Sequence, residues 1–394
     1  MLRAFKFRIY PKPEQEMRLN RSLFLLCKLY NDLKAEEMRR YTVEHKSTSL
    51  TMFRTFALSI RKRETSQTVH SQVVQNVGDR IYMSFRNFFE GRAKFPRWKK
   101  HFRYTSLTRT QSGFNLDPHR GLRLSRIGYV RIFVHRPLKG EVKRLSVKRE
   151  ADGWYATFVC ELNPPAMIPP ADIDSNRIRG ADLGLNKFAV LDDATDFEHP
   201  RFMKESEERM KDLQRHSARK RKGSKRRRDL GRRLARLHLH VRRQRQDFQN
   251  KLIHEIFKEV EVLVLERLDI RRMKRNHNLA KAISDAAWGM FARKAVSKAE
   301  SLGKYCIFVD PWGTSQFCHN CLNWVPKSLG KREHSCDNCG VIVSRDLNSA
   351  LLIRRLGILS SPTPDGGLSL AEQRPLPSLR EMASLSYEAG SRLP

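Results

Sequence analysis

The chain lacks the features that mark membrane-spanning and exported proteins. Its 394 residues contain no apolar run of the ~18 residues that a membrane-spanning helix needs. The first ten residues, MLRAFKFRIY, lack the apolar core of a signal peptide. No internal repeat is found. We therefore predict a cytoplasmic protein with no membrane partner.

Acidic residues are scarce relative to basic ones. The chain has 42 Asp and Glu residues against 77 Lys and Arg residues, which leaves a formal net charge of +35. Such a surplus raises the free energy of a compact chain by self-repulsion unless a polyanion neutralises it. Nucleic acid is the expected partner, because each neutralised phosphate releases condensed counterions. A membrane surface is the competing polyanion, and the missing apolar segments disfavour it.

Proline and glycine divide the N-terminal part into segments with different patterns. Residues 2–10 alternate apolar and basic side chains, which is typical of a strand with one basic face. Helical spacing follows between 13 and 101, and short alternating runs recur from 104 to 161. We predict that the first strand closes these runs into a small antiparallel β-barrel, with the helices as an insertion.

A proline-rich linker, NPPAMIPPADIDSN from Asn163, marks the main domain boundary. Beyond it, the order strand, strand, helix, strand, helix, strand predicts an α/β domain with a mixed sheet. Residues 202–258 have a continuous helical pattern, and another helix is expected near 279–302. The Pro-, Gly- and Ser-rich tail, 359–394, is predicted to be disordered.

Cysteines are few, and four of the seven lie in one short segment. The pair Cys318 and Cys321 is followed, after fourteen residues, by the pair Cys336 and Cys339. Two pairs at this spacing are typical of a closed, structural four-cysteine Zn²⁺ site. Redox pairs or reduced surface cysteines are the alternative. Without an export signal, the pattern favours a reducing compartment and a metal over disulfides.

Three carboxylates lie in unusual contexts. Asp182 is in the strand segment GADLGLNKFAV, Glu266 ends the apolar strand VEVLVL, and Asp346 opens an amphipathic helix after the cysteines. Three converging acids can hold two Mg²⁺ ions against a phosphodiester. The residues alone leave simpler interpretations open: Asp346 as a charge offsetting the helix dipole, and Glu266 as the partner of a nearby arginine. An acid in an apolar context nevertheless costs stability unless it is paired or metal-bound.

Two segments combine positive charge with features of a nucleic-acid contact. The basic run from Ser217 lies on an amphipathic helix, where a merely solvated charged face is the alternative. The segment FEGRAKFPRWKK alternates cations with aromatic faces that can stack on bases. The candidate contact residues are Arg97, Trp98, Lys225, Arg226, Arg227 and Arg228.

These residues together resemble the TnpB family, transposon-encoded RNA-guided nucleases related to type V CRISPR effectors. The resemblance covers nearly the whole chain. It rests on the segments AFKFRIYPKPEQE, FRNFFEGRAKFPRWKK, GADLGLNKFAV, VLVLERL, TSQFCHNC, CDNCG and SRDLNSA, in the order of the family. The chain departs from the family at Ser344, where an acid is frequent, and at Leu322, where glycine is favoured.

The resemblance implies the fold, the site and the cofactors. The expected fold is multidomain α/β plus β-barrel. The expected parts are a barrel (1–12 and 102–165) with a helical insertion (13–101), an RNase H-like (RuvC) nuclease domain (166–310 and 342–358), and an inserted zinc ribbon (311–341). Asp182, Glu266 and Asp346 would be the catalytic acids that bind two Mg²⁺ ions. Cys318, Cys321, Cys336 and Cys339 would bind one structural Zn²⁺.

The implied function is RNA-guided cleavage of DNA for a transposable element, near the nucleoid of a prokaryotic cytoplasm. The implied partners are a guide RNA from the transposon and double-stranded target DNA, with one chain per RNA. A DNA transposase that uses a 3′-OH nucleophile is the first alternative, because the same acids serve both reactions. A non-cutting, RNA-bound DNA-binding repressor is the second, and the complete acid trio argues against it.

Overall fold

The computed structural model describes residues 1–45, 47–64, 68–169, 172–328 and 330–359. The chain divides into two compact units, Met1–Asn163 and Pro164–Pro394. The tail that we predict to be disordered lies outside the described residues, except for its first residue. Among the helices of the described ranges, none is both long enough and apolar enough to cross a bilayer.

The first unit is built on one antiparallel sheet of seven strands. They are β1 (Leu2–Tyr10), β2 (Ser106–Arg109), β3 (Phe114–Asp117), β4 (Gly121–Leu124), β5 (Gly128–Phe133), β6 (Glu141–Glu150) and β7 (Gly153–Glu161). Their spatial order is β2-β6-β7-β1-β5-β4-β3. The N-terminal segment forms a strand, as its alternating pattern predicts, and this strand lies in the middle of the sheet, paired with β5 and β7.

The predicted closed barrel is not found in the described residues. The edge strands β2 and β3 do not pair with each other, and each has only four residues to offer. The sheet curls over its core nevertheless. The Phe114 ring on β3 lies 6.5 Å from the Phe158 ring on β7. The Arg109 side chain of β2 donates a 3.0 Å hydrogen bond to the Ser125 carbonyl.

Three helices pack with this sheet: α1 (Pro13–Glu44), α2 (Leu50–Glu64) and α3 (Ser71–Phe89). The first helix begins with proline at its first position and has Glu14 and Glu16 in its first turn, which suits the dipole. Leucines at helical spacing, including Leu19, Leu23 and Leu26, are buried and join the sheet's side chains in one core. The opposite face of α1 stays polar or exposed.

The second unit contains a five-stranded mixed sheet, which confirms the predicted α/β class. Its strands are β8 (Ile178–Asp182), β9 (Lys187–Leu191), β10 (Asp196–Glu198), β11 (Val262–Glu266) and β12 (Tyr305–Val309), in the order β10-β9-β8-β11-β12. The pairs β8–β11 and β11–β12 are parallel, whereas β9 and β10 run antiparallel.

Helices surround this sheet, and a two-stranded hairpin precedes the last of them. The helices are α4 (Phe202–Glu205), α5 (Glu207–Ala218), α6 (Lys225–Glu259), α7 (Ile270–Met273), α8 (His277–Ala286), α9 (Trp288–Glu300) and α10 (Arg345–Leu359). The hairpin consists of β13 (Glu333–Ser335) and β14 (Ile342–Ser344).

The apolar run of β11 explains why helices lie on both faces of the sheet. Successive strand residues point to opposite faces. Val262 and Val264 join a core with α10, whereas Leu263 and Leu265 join a core with α6, α8 and α9. A strand buried on both faces cannot alternate with polar residues, which is why VLVL is continuous.

Two predicted helices are interrupted. The continuous helix over 202–258 is wrong, because α5 ends before a turn at Gly223, whose φ is +83°. The Ser224 hydroxyl then caps α6 by accepting from the Arg227 N–H at 3.2 Å. The helix expected near 279–302 is divided at Ala287, which has a φ of +55°. Local apolar periodicity continues across the break at Ala287 and does not reveal it. Around Gly223 the sequence is basic, with Ala218 the one apolar residue between Leu213 and Leu230, so the prediction of a continuous helix rested on the flanking residues.

Helix α10 lies directly against the sheet at Gly180. A Cβ at this position would overlap the Ala350 carbonyl oxygen and the Arg354 backbone nitrogen. We expect Gly180→Ala to lower the free energy of unfolding by about 1–3 kcal/mol, because backbone atoms must move apart. Gly231→Ala is the control, since Gly231 lies in α6 and an added methyl group would have no neighbouring atom within 4 Å.

The control should instead raise the free energy of unfolding by about 0.5–1 kcal/mol, as alanine replaces glycine in a helix. Denaturant unfolding measures the free energy of unfolding of both variants and of the wild-type chain. Equal effects of the two substitutions would contradict the close helix–sheet contact.

Candidate functional site

The ends of β8 and β11 bring two carboxylates to the same edge of the sheet. These strands are parallel, with Gly180 opposite Val264 and Ala181 opposite Leu265. Asp182 and Glu266 are the next residues in the two strands, so they lie side by side. Both residues are half-buried. Carboxyl ends of neighbouring parallel strands are a common location for ligand sites in α/β sheets.

The third predicted acid, Asp346, lies in the first turn of α10. This helix is held on β8 by polar contacts as well as by the Gly180 approach. Arg354 of α10 lies 3.4 Å from the buried Asp192 carboxylate, which also accepts a 2.9 Å hydrogen bond from the Gly180 N–H. The Arg354 side chain donates to the Ile178 carbonyl at 3.0 Å. These contacts set the position of α10, and hence of Asp346, relative to the strand that carries Asp182.

The electrostatics of Asp182 depend on both of the other predicted acids. Burial, followed by the charges of Glu266 and Asp346, raises the pKa of Asp182 well above its usual value. Burial also raises the pKa of Glu266 to about 7. Arg345 offsets only part of the effect on Asp182. Two neighbouring desolvated carboxylates, Asp182 and Glu266, are a site that a divalent cation would stabilise, whereas Asp346 lies 3.5 Å from the Arg345 guanidinium.

Thr314 supports Glu266 and was not a predicted site residue. Its hydroxyl hydrogen-bonds Glu266 Oε1 and also lies 3.0 Å from the Pro311 carbonyl oxygen. One hydroxyl proton serves only one acceptor at a time, so protonated Glu266 can donate to Thr314 while Thr314 donates to Pro311. The residue lies in the segment TSQFCHNC, but its spacing gave no sign of a contact with β11.

The raised pKa values predict a pH dependence of stability in Mg²⁺-free buffer. In the folded chain, Asp182 and Glu266 keep their protons to higher pH than in the unfolded chain. The folded state therefore binds more protons, and its stability falls as pH rises from about 4.5 through about 7. Saturating Mg²⁺ should reduce this loss, because it favours the ionised carboxylates.

Thermal unfolding between pH 5 and 8, with and without Mg²⁺, measures this dependence. Glu266→Gln removes one of the titrating groups and should flatten the Mg²⁺-free profile over this range. A wild-type profile that is already flat across the same range would contradict the coupled, desolvated cluster.

The four predicted cysteines converge on one point. Cys318 Sγ lies 3.6 Å from Cys339 Sγ, and Cys321 Sγ lies 3.5 Å from Cys336 Sγ. All four sulfurs lie within 4.8 Å of one another, and the described residues hold no other group of three or more potential ligands this tight. A tetrahedron with Zn–S bonds of ~2.3 Å has sulfur–sulfur edges of ~3.8 Å. The cysteines therefore fit a closed Zn²⁺ site, as predicted, whereas the three predicted acids do not form a group this tight.

The departure from the family at Leu322 has a visible cost. Leu322 follows Cys321, the second cysteine of the first pair. Its φ of +61° is the left-handed conformation that favours glycine. The matching position after Cys339 is Gly340, with a φ of +71°. The Leu322 side chain packs against the core between α10 and the sheet, and this burial offsets the backbone strain.

The turn that carries Cys318 and Cys321, here called the first knuckle, is hydrogen-bonded to α10, the helix that carries Asp346. Buried Asn348 of α10 donates to the Phe317 carbonyl at 2.8 Å and accepts from the His319 N–H at 3.0 Å. Arg355, two turns further along α10, donates to the His319 carbonyl at 2.8 Å. The four-cysteine segment therefore helps to orient α10. Sequence spacing placed Asn348 near the ribbon but did not indicate this contact.

The predicted nucleic-acid contacts have varied environments. Trp98 is 53% exposed, but the Lys34 ammonium lies 4.0 Å from its ring centroid, so one face is already covered. Arg227 donates to the Lys220 carbonyl at 2.9 Å and closes the turn before α6. The remaining predicted residues, Arg97, Lys225, Arg226 and Arg228, are exposed. No contact in the structure tests their role.

Family models match three parts of the chain. Residues 157–277 match the OrfB_IS605 model, described as "Probable transposase", and residues 288–353 match the "Cas12f1-like, TNB domain". Residues 1–46 match a "Helix-turn-helix domain" of the same OrfB group. In the structure, that last region holds the strand β1 and the single helix α1.

Curated relatives match nearly the whole chain. A protein of Streptomyces pristinaespiralis named "Putative RNA-guided DNA endonuclease" is 30% identical over 373 residues, or 92% of this chain and 91% of the relative. "Putative RNA-guided DNA endonuclease InsQ" of Escherichia coli K12 is 25% identical over 376 residues, or 90% and 92%. Both relatives match this chain along nearly its whole length, which includes the α/β unit and the four-cysteine segment. The chain belongs to the TnpB family, the OrfB group of IS605-type elements.

Solved structures with a similar arrangement are more distant. The "mini-RNA-guided endonuclease CRISPR-Cas_phi3" matches with a TM-score of 0.47 and 12% identity, covering 92% of this chain and 93% of that chain. A Cas12f1 complex with sgRNA and target DNA matches with a TM-score of 0.34 and 13% identity, covering 90% and 99%.

Proposed function

We propose that the chain is an RNA-guided DNA endonuclease of a transposable element, with a RuvC-like, RNase H-like nuclease domain in its second unit. The observation that supports the proposal is that the parallel strands β8 and β11 end side by side at Asp182 and Glu266, and that the charges of Glu266 and of Asp346 on α10 both act on Asp182. Two full-length relatives named as RNA-guided DNA endonucleases support it. The net charge of +35 suits a protein that holds RNA and DNA together.

Asp182, Glu266 and Asp346 would hold two Mg²⁺ ions. Bound Mg²⁺ supplies an activated water and stabilises the leaving 3′ oxygen. Thr314 orients Glu266 through its hydroxyl. The contacts of α10 with β8 and with the knuckle keep Asp346 in place before the substrate arrives.

The other parts would serve the nucleic acids. One Zn²⁺ on Cys318, Cys321, Cys336 and Cys339 would be structural, because four thiolates leave no open position. The sheet and helices of the first unit would hold guide RNA and read a short motif beside the target. Arg97, Trp98, Lys225, Arg226, Arg227 and Arg228 are the proposed contacts to a heteroduplex recognised by shape and charge. Such an enzyme would act at the nucleoid in a prokaryotic cytoplasm, as one chain per RNA.

The test is to purify the full chain, sequence any RNA that co-purifies, and incubate the complex with a matched DNA duplex and Mg²⁺. We expect cleavage that requires the RNA, the matching strand and the metal. Cleavage of unmatched DNA at the same rate, or intact matched DNA under all conditions, would contradict the proposal.

A DNA transposase is the second candidate, and the description of the matched OrfB_IS605 model favours it. The same acids would then bind the metal ions, but a DNA 3′-OH would replace water as the nucleophile. Supplying labelled transposon ends with free 3′-OH groups distinguishes the two. Joined products without added RNA would support the transposase, whereas hydrolysed ends that depend on RNA support the endonuclease.

A further inference from the structure

An open cleft in the first unit combines uncovered aromatic rings with positive charge. It lies between α1 and the short 3₁₀ turn His101–Arg103, and it measures about 410 Å³. Phe24 and Phe102 line it, and each is 56% exposed. The cleft does not include Arg97 or Trp98, but its Lys99 and Lys100 end the segment FEGRAKFPRWKK, which the sequence indicates as a nucleic-acid contact; the sequence gave no indication of the wall on α1.

Helical spacing places one wall of the cleft. Phe24, Lys28 and Asn31 follow one another at intervals of four and three residues, so they form a stripe on α1. Their neighbours Leu23, Leu26 and Tyr30 are buried in the core, which turns the stripe away from it. The stripe therefore faces outward, toward the segment that follows Trp98.

The opposite wall is fixed to α1 by a two-way hydrogen bond. The Asn31 side chain donates to the Lys99 carbonyl at 2.9 Å and accepts from the Lys99 N–H at 2.8 Å. Cys27 Sγ also contacts the Lys99 carbonyl, at 3.4 Å. The cleft is thus preorganised, because the segment leading to His101 is held on the helix without any ligand.

The rings of the two walls form a continuous surface. The His101 ring centroid lies 6.2 Å from that of Phe24 and 5.6 Å from that of Phe102. Lys28, Lys99 and Lys100 line the same cleft, and its lining, taken from the described residues, contains no carboxylate. Aromatic faces beside cations are the chemistry that binds a nucleobase together with its flanking phosphates.

We propose that this cleft binds an unpaired nucleotide of a single-stranded nucleic acid, with the base on Phe24 and Phe102 and the phosphates near Lys99 and Lys100. The inference rests on the proposed function only in taking nucleic acid as the partner. A base in a duplex has both faces stacked and cannot reach such a surface, so the cleft selects unpaired nucleotides. RNA and DNA share this chemistry, and the experiment separates them.

The test measures equilibrium binding of the full, zinc-loaded chain to fluorescent rU12 and dT12, without Mg²⁺, by anisotropy. The double variant Phe24→Leu/Phe102→Leu keeps apolar bulk but removes the π faces, and we expect Kd to rise about tenfold. The slope of log K against log salt should not change, because no charge is removed. Phe89→Leu, an equally exposed ring outside the cleft, is the control and should leave Kd unchanged.

The charge variant Lys99→Gln/Lys100→Gln should instead weaken binding and reduce the salt slope by about 1.4, or ~0.7 for each lost phosphate contact. The oligonucleotide that shows both effects identifies the source as RNA or DNA. The experiment measures binding and not cleavage, so it tests the cleft separately from the proposed nuclease function. A chain that does not cleave DNA can still bind oligonucleotides in the cleft, and a chain that cleaves DNA can still show no binding there.

Three results would overturn the proposal. The first is an unchanged Kd in the double phenylalanine variant, and the second is no binding of the wild-type chain to either oligonucleotide. The third is that the double phenylalanine variant loses as much affinity for a 12-base-pair duplex as for the single strands. Thermal unfolding of the variants confirms folding, which substitution at half-exposed rings should preserve.

Discussion

Asp182→Ala should slow cleavage of a matched DNA duplex by at least about 10³-fold, while the affinity for guide RNA and target changes less than about twofold. The reason is that metal ions supply several kcal/mol of transition-state stabilisation in phosphodiester hydrolysis, and Asp182 is one of the proposed metal ligands. Single-turnover cleavage and a separate binding measurement distinguish loss of chemistry from loss of assembly.

The same substitution should not destabilise the metal-free chain. Asp182 is desolvated and repelled by Glu266 and Asp346, so its removal relieves a cost that the metal-free chain carries. We expect the free energy of unfolding in Mg²⁺-free buffer at pH 8 to stay the same or increase. A residue retained only for packing would show the reverse, because a lost contact destabilises.

Glu198→Gln is the matched control for this prediction. It lies on β10 of the same sheet, with its side chain 76% exposed, and pairs with Lys187. It should cleave at the wild-type rate. Persistent cleavage by Asp182→Ala, or an equal loss in both variants, would exclude the proposed acid site.

Much of this fold is readable from the sequence because local patterns coincide with tertiary packing. The alternation in residues 2–10 predicts β1, and the continuous apolar run before Glu266 predicts a strand buried on both faces. The close approach of α10 explains why residue 180 is glycine, because a side chain there would overlap the helix backbone. The break at Ala287 was missed because apolar spacing continues through it and a positive φ leaves little trace at alanine. The break at Gly223 was missed although Gly223 followed by Ser224 is typical of a helix end and a helix cap.

The candidate site is predictable in part for a similar reason. Cysteine spacing alone indicates the ribbon, since each pair places two sulfurs on one turn. The grouping of the acids depends instead on long-range register between β8 and β11 and on the docking of α10, which no local pattern encodes. Thr314 and Asn348 act through contacts that close only in the folded chain. The cleft at Phe24 was missed because its two walls are separated by about seventy residues of sequence.

Loss of zinc should disable the acid site although no zinc ligand is a proposed catalytic residue. Cys318→Ser removes a buried ligand from a cluster that leaves no spare sulfur. Zinc binding by such sites is worth ~10–16 kcal/mol in isolated fingers, so the ribbon should lose its fold. We expect less than one zinc per chain by atomic emission, and cleavage reduced by at least about 10²-fold.

The route of this effect is specific to the structure. The knuckle contacts α10 through Asn348 and Arg355, and β14 leads directly into the first turn that carries Asp346. Hydrogen exchange should therefore accelerate in the knuckle and at the start of α10, but not in β11. Cys306→Ala is the control: Cys306 lies buried in β12 away from the cluster, so stability should fall while zinc content and the cleavage rate are retained. If Cys318→Ser lost its zinc but still cleaved at the wild-type rate, the ribbon could not be what positions Asp346, and the strand contacts of α10 would have to suffice alone.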